Sequence, residues 1–347
     1  MTKIARAFLD SWYRRDATWL AIVLLPLTIL YAVVVEIRAS LYRHGFLKIH
    51  PLSVPVIVVG NITVGGTGKT PFVIALVHAL RERGFTPGVI SRGYGGKASK
   101  RGDTLLVTED SDPSEVGDEA VQIARVGVPM SVGTDRVEAG ERLTRDYPEV
   151  NVIVADDGLQ HYRLSRVAEI AVLDGVRQLG NRLCLPSGPL RERASRLAQV
   201  SAVVVTSLDD ASPLPSLNTN APLFRQILKE DALRKTNDPK TTREPASLAR
   251  EKDIHAIAGI GHPERFFTML KKLGIHATSH SFADHFPYTA ADLAIPEARW
   301  IIMTEKDAVK CRVFADDRCW YLAMISQIPD PLLDLIEEKL RAAQPAN

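Results

Sequence analysis

At 347 residues the chain is longer than one typical domain of roughly 100–200 residues, so two domains are expected. Apolar residues at 46% and charged residues at 24% exclude a disordered protein, and 43 Lys and Arg against 41 Asp and Glu leave a net charge of +2, which demands no nucleic-acid partner. Cys184, Cys311 and Cys319 are too few and too irregularly spaced for a disulfide framework or a zinc site, which suits a reducing compartment.

The first element is an uncharged run from residue 19 to residue 35, preceded by Arg14, Arg15 and Asp16 and followed by Glu36 and Arg38. It is short for a bilayer span, where about 20 residues are typical and about 17 the minimum, and Pro26 interrupts it. It is longer than the h-region of a secretory signal, and no A-x-A-like cleavage site follows. Trp12, Tyr13, Arg14 and Arg15 on one side, and Arg38, Tyr42, Arg43, His44 and Lys48 on the other, are flanks suited to a membrane interface. Residues 1–50 are therefore expected to be a membrane-associated helical segment, the alternative being a buried core helix.

From residue 51 onward short apolar runs alternate with helical stretches. Strands are predicted at 56–60, 86–90, 129–132, 152–155, 169–173 and 202–206, with helices near 71–83, 118–126, 135–147 and 190–199. Such alternation predicts a P-loop type of doubly wound, mostly parallel α/β sheet over 51–220. The polar, proline-bearing stretches 209–220 and 237–245 enclose a strand-like 223–228, and 221–250 is read as the interdomain linker. A smaller C-terminal α/β domain follows over 251–347, with strands at 254–258, 300–304 and 319–322 and helices at 264–273 and 331–342. Gly259-Ile-Gly261 lacks the third glycine of a dinucleotide fingerprint and is read as a turn.

The most informative segment is Gly60-Asn-Ile-Thr63-Val64-Gly65-Gly66-Thr67-Gly68-Lys69-Thr70, after a strand and before a helix. Glycines there let backbone N–H groups face phosphate oxygens, and the helix start adds its partial positive charge. Lys69 would reach the β- and γ-phosphates and Thr70 would offer its hydroxyl to Mg²⁺. Thr63 stands where the strict G-x-x-x-x-G-K-[ST] pattern has glycine. A strand ending in Asp156 and Asp157, followed by Gln160 and His161, supplies the acidic element that such a loop needs for its metal. The loop Ser91-Arg-Gly-Tyr-Gly-Gly96 would bring Arg92 and Tyr94 to the same sheet edge. Asp118 and Glu119 open a helix, where an acid is also a common cap, and the residues alone leave that choice open.

Together these motifs, with Gly188-Pro-Leu-Arg-Glu192, Phe282-Ala-Asp-His285 and Thr304-Glu-Lys-Asp307, resemble the tetraacyldisaccharide 4'-kinases, which phosphorylate a lipid A precursor. Each motif is short, but their order over residues 60–307 is specific, and the amino-terminal apolar helix matches too. The resemblance implies an ATP- and Mg²⁺-dependent transfer of the γ-phosphate to the 4'-hydroxyl of a tetraacyldisaccharide 1-phosphate. It implies two α/β domains joined by a short two-stranded connection, and a monotopic or peripheral enzyme at the cytoplasmic face of the bacterial inner membrane; a monomer is expected. It makes Asp118 the general base, His285 its dyad partner and Lys69 the phosphate-binding lysine of catalysis. It leaves metal contacts to be shared among Thr70, Glu119, Asp156, Asp157 and Gln160. It assigns Thr63 to Thr70, Tyr94, Arg191 and Glu192 to the nucleotide, the last two as part of a lid. Phe286 follows His285 where a second histidine is common in that family, so no histidine pair is expected. The alternative is a P-loop switch or metallocentre-assembly GTPase, although neither Asn181-Arg-Leu-Cys nor Thr304-Glu-Lys-Asp307 forms a clean guanine-reading N-K-x-D.

Overall fold

The computed structural model describes residue 8 and residues 11–14, 18–207 and 213–343. Arg15 and Asp16 of the amino-terminal flank, and the first residues of the stretch 209–220, lie outside the described residues.

The first half is built on parallel strands β1 (Val56–Gly60), β2 (Pro87–Ser91), β4 (Met130–Val132), β5 (Val152–Asp156), β6 (Ala168–Asp174) and β7 (Ala202–Ser207), in the order β7-β6-β1-β5-β2-β4. The short β3 (Leu105–Val107) pairs antiparallel with β4 at the edge. β1 is buried at every position, as a central strand covered on both faces must be. Side chains alternate across it: Ile57 and Val59 join one apolar cluster, Val56 and Val58 the other. Helix α2 (Lys69–Glu82) covers the first face with Phe72, Val73, Leu76, Val77 and Leu80. The final helix, α7 (Asp330–Ala343), returns to that face with Leu332, Ile336 and Leu340, and Arg83 on the body pairs with Asp334 at 2.8 Å and Glu337 at 2.6 Å.

The second half carries β10 (Ile254–Ala258), β11 (Thr278–Ser281) and β12 (Trp300–Thr304), parallel to one another and to β13 (Cys319–Gln327). The halves share one sheet through β8 (Leu223–Lys235), a strand of 13 residues with which the two-residue β9 (Thr242–Arg243) pairs antiparallel. Its first part runs parallel to β7, with Ser207 opposite Ile227, and the rest runs antiparallel to β13, with Leu233 opposite Leu322. Thr304, at the end of β12, pairs with Leu322. The two halves are therefore staggered along β8 by about six positions, on the order of 20 Å at ~3.3 Å per residue. The stagger turns the carboxyl ends of both sets of parallel strands toward a common cleft. Helices α3 (Asp118–Ala124), α4 (Arg136–Asp146), α5 (Pro263–Lys272) and α6 (Glu305–Cys311) complete the layers.

One predicted helix is different. Residues 190–199 form only a 3₁₀ turn at Ala194–Gln199. Residues 190–193 form an isolated bridge and a bend, because Pro189 accepts from the Val64 N–H at 2.8 Å and the Arg191 N–H donates to Ile62 at 2.7 Å. A segment whose backbone is committed to the phosphate loop cannot also close helical hydrogen bonds.

The amino-terminal helix α1 (Trp19–Arg43) is not a core helix. Its buried residues, Ala21, Thr28, Ala32 and Ala39, are small and share one face, so the helix lies close against the body. Thr28 Oγ1 donates to Ser187 Oγ at 2.7 Å, Ser187 Oγ donates to the Ala21 carbonyl at 2.9 Å, and Tyr31 OH donates to the Arg191 carbonyl at 3.0 Å. Its other faces expose Trp19, Ile22, Val23, Leu30, Val34 and Ile37, and Phe46 follows at 78% exposed. An 18-residue stretch of this helix has a mean hydropathy of 2.5 and is 17% buried. Such an uncovered aliphatic surface marks membrane association. Replacing Ile22, Leu30 and Ile37 by Glu should abolish flotation with liposomes at unchanged melting temperature. Ala32→Phe, on the packed face, should instead cost about 1–3 kcal/mol of stability with flotation retained.

Candidate active site

The cleft between the halves encloses ≈ 500 Å³ and is lined by Val64–Pro71, Arg92, Tyr94, Glu119, Asp156, Asp157, Arg191, His262, Arg265, His285 and Lys306, among others. That volume suits a small-molecule site.

The phosphate loop is held from below. Gly68 begins α2 at φ +83°, and a Cβ there would lie 2.8 Å from Thr206 Cγ2, so only glycine fits. Thr206 Oγ1 donates to the Thr67 carbonyl at 2.8 Å, and Gln226 Nε2 donates to Ser326 Oγ at 2.8 Å and to the Gly68 carbonyl at 3.3 Å. Thr206 and Gln226 are buried, so strands β7, β8 and β13 fix the loop through paired polar groups. Asn61 spans the loop, its Nδ2 lying 3.4 Å from both the Gly65 carbonyl and Thr67 Oγ1.

The cations of the loop are held by Asp157. Lys69 Nζ lies 3.4 Å from its Oδ1, and Arg191 Nη1 donates to both of its oxygens at 3.0 Å. Burial raises the pKa of Asp157, but Lys69 and Arg191 outweigh it and hold the carboxyl well below the ordinary range. Asp156 goes the other way: full burial, with the Glu119 carboxylate beside it, pushes it up to about 7 against the pull of Lys69. Ser91 Oγ donates to its Oδ2 at 3.1 Å, and its Oδ1 is buried without a partner among the described residues.

The second half contributes across the cleft. His285 Nδ1 is 3.0 Å from Asp118 Oδ2, joining residues 167 apart in sequence. His285 Nε2 lies 3.2 Å from Lys306 Nζ, which also reaches Glu119 Oε1 at 3.2 Å and Asp284 Oδ1 at 3.4 Å. An ammonium can only donate, so His285 accepts from Lys306 at Nε2 and donates Nδ1–H to Asp118. Burial raises the Asp118 pKa, and the His285 hydrogen bond with the Lys306 charge brings it below its ordinary value. Asp118 is thus an anion near neutrality. It is 5% exposed, and its Oδ1 also accepts the Glu119 N–H at 3.0 Å.

The model of the family described as tetraacyldisaccharide-1-P 4'-kinase matches residues 20–341. The tetraacyldisaccharide 4'-kinase of Methylobacillus flagellatus is 45% identical over 331 residues, covering 95% of this chain and 94% of that protein. The corresponding kinase of Alkalilimnicola ehrlichii is 46% identical over 92% of each. The chain belongs to the tetraacyldisaccharide 4'-kinase family. It is by family a transferase that phosphorylates a hydroxyl, and the GTPase alternative is not favoured. The crystal structure of Aquifex aeolicus LpxK in complex with ATP covers 92% of this chain and 99% of that one, at 31% identity and a TM-score of 0.79.

In this kinase the residues singled out from sequence separate into two groups. Val64 to Thr70, Tyr94, Glu119, Asp156, Asp157, Arg191 and His285 line the cleft. Asp118 does not, being buried behind His285, and neither do three residues near the loop: Thr63 is buried in a bridge to Leu190, and Gln160 Nε2 donates to the Asn61 carbonyl at 3.1 Å and to Glu192 Oε2 at 2.8 Å. Glu192 is buried and also bonds Tyr162, so these residues brace the loop from behind. Of the residues proposed for a metal, Thr70, Glu119, Asp156 and Asp157 line the cleft and Gln160 does not. Among the described residues no three His, Cys, Asp or Glu side chains form a metal cage, and the orphaned Asp156 Oδ1 fits a hard cation held mainly by phosphates and water. Lys306 was visible in sequence only as part of Thr304-Glu-Lys-Asp307, without a role; Thr206 and Gln226 carried no signal.

The Asp156 shift has a stability consequence. Its folded pKa of about 7 exceeds the ordinary 3.8, so the native state binds the proton more tightly and stability falls as pH rises from about 4 to 7. In protein freed of divalent cations, Asp156→Asn should therefore melt higher than the parent at pH 8, the difference closing near pH 4. A difference that grew on acidification would reverse the assignment.

Proposed function

We propose that this chain transfers the γ-phosphate of ATP to the 4'-hydroxyl of a tetraacyldisaccharide 1-phosphate, with Asp118 as the base. The observation that carries this reading is the Asp118–His285 contact across the mouth of the phosphate-loop cleft. His285 Nε2 is engaged by Lys306, so the group of the dyad with a lone pair left for a hydroxyl is the ionised Asp118. The hydroxyl proton passes to Asp118 while the 4'-oxygen attacks the γ-phosphorus. The bond from that phosphorus to the bridging oxygen breaks, and ADP leaves. Lys69 and the backbone N–H groups of Gly65 to Gly68 hold the β- and γ-phosphates, with Arg191 beside them on Asp157. Thr70, Glu119 and Asp156 would hold Mg²⁺, which neutralises phosphate charge when bound. The contact between the halves holds His285 and Lys306 at the site, where a covered cleft excludes water that would hydrolyse ATP.

The working place we propose is the cytoplasmic face of the bacterial inner membrane. The aliphatic surface of α1 supports it, as does a substrate whose acyl chains stay in the bilayer. Asp118→Asn should lower kcat about 10²–10⁴-fold with ATP affinity retained, since it removes a proton acceptor and no phosphate contact. Lys69→Ala should abolish transfer and weaken ATP binding. The two are separated by turnover on detergent-dispersed lipid alongside calorimetric ATP binding. Unchanged kcat with weakened ATP binding in Asp118→Asn would make that residue a metal or capping group.

A further inference from the structure

A second set of contacts joins the halves, and it is not used by the phosphoryl transfer. Arg265, at the start of α5, gives Nη1 to Asp174 Oδ2 at 2.8 Å. Arg177 Nη2 lies 3.2 Å from His262 Nδ1, so the guanidinium donates and the imidazole carries its hydrogen on Nε2. That Nε2 is buried and has no partner among the described residues, although His262 lines the cleft. Asp174 is already occupied, its Oδ1 accepting the N–H groups of Val176 at 2.9 Å and Arg177 at 2.8 Å. One carboxylate thus faces two guanidinium groups and an imidazole with an idle donor. Three other cations of the cleft have carboxylate partners of their own: Lys69 and Arg191 share Asp157, and Lys306 has Glu119 and Asp284.

This excess positive charge sits beside the membrane segment. The Arg177 guanidinium lies over the Tyr13 ring at 4.5 Å, and Asn181 N–H donates to the Trp12 carbonyl at 2.8 Å. Val176, at the tip of the same turn, is 86% exposed, an apolar side chain suited to a lipid interface. We propose that Arg265, His262 and Arg177 form the receptor for the phosphomonoester that the acceptor lipid already carries. The inference rests on the kinase reading above. The nucleotide could in principle supply the same chemistry, since Arg177 Nη1 lies 3.6 Å from where a Cβ of Gly65 would be. The lipid is favoured because the cluster borders the membrane segment, and because the loop backbone and Lys69 already serve the nucleotide.

The test compares two acceptors in mixed micelles with the full chain: the disaccharide lipid bearing its phosphate and the same lipid lacking it. Wild type should prefer the phosphorylated lipid in kcat/KM. Arg265→Gln and Arg177→Gln should each reduce that preference about 10- to 100-fold, as loss of a charge-assisted hydrogen bond does, through KM for the phosphorylated lipid. His262→Gln, whose amide can still donate, should reduce it less, and serves if an arginine variant does not fold. An undiminished preference in folded variants, or a rise in KM for ATP in place of the lipid, overturns the subsite. Equal turnover of both lipids by wild type also overturns it while leaving the kinase reading intact. Failure of wild type to phosphorylate either lipid removes the kinase reading, and the subsite with it.

Discussion

The site depends on the stagger along β8. A strand that pairs parallel with β7 over its first residues and antiparallel with β13 over the rest must displace the second half along its own axis. Without that displacement, two parallel sheets joined antiparallel would present their carboxyl ends to opposite edges. With it, the turns after β1, β2 and β5 face those after β10, β11 and β12, and ligand-binding ends that would each work alone share a cleft. The same strand secures the loop it overlooks, because Gln226 on β8 bonds both the Gly68 carbonyl and Ser326 on β13. A change in the angle between the halves is therefore felt at the phosphate loop through buried, geometry-sensitive hydrogen bonds.

Charge placement follows from that geometry. A phosphate loop must hold cations ready for a ligand that is absent part of the time, and unpaired charges in a half-buried cleft are costly. Asp157 meets the need on one wall by accepting from both Lys69 and Arg191, a stand-in for phosphate oxygens. Its φ of +49° places a non-glycine residue in the left-handed region, where a short polar side chain is tolerated best. On the other wall Lys306 is balanced by Glu119 and Asp284, and Glu119 belongs to the opposite half. Contact between the halves and charge neutralisation on that wall are therefore one interaction, made beside the contact that joins Asp118 to His285.

Much of this was legible from residues. The glycine-rich loop after an apolar strand, and the strand ending in two aspartates, carry their geometry in sequence because each element is local. Asp118 and His285 are 167 positions apart, and only resemblance joined them, since spacing carries no information about a contact made across two halves. Gln226 and Thr206 were unreadable for the same reason: a buried glutamine in a strand looks like any polar residue until its partners are known. The failed helix at 190–199 shows a different limit. Leu190 and Arg191 have good helical propensity, yet their backbone groups are taken by Ile62 and Leu183, and tertiary pairing overrides local preference. The final helix was legible as amphipathic, but not that its apolar side would cross back to the first half.

The anchor and the nucleotide site share a stretch of backbone, and this gives the amino-terminal helix more than an adhesive role. Thr28 and Tyr31 of α1 bond Ser187 and Arg191, and the 189–191 segment is zipped to Ile62 and Val64 of the phosphate loop. The helix cannot tilt against the body without disturbing Arg191, whose side chain holds Asp157. A rigid attachment of this kind sets the orientation of the cleft relative to the bilayer. For an acceptor whose acyl chains remain in lipid, the head group is confined to a thin layer, and a cleft held at that height converts a three-dimensional search into a nearly two-dimensional one. The gain is of the effective-concentration kind, which a flexible tether would dilute and a fixed one retains. Burying small residues on the body and leaving the large aliphatics outside, as Ala21, Thr28, Ala32 and Ala39 do, is how one short helix satisfies both contacts at once.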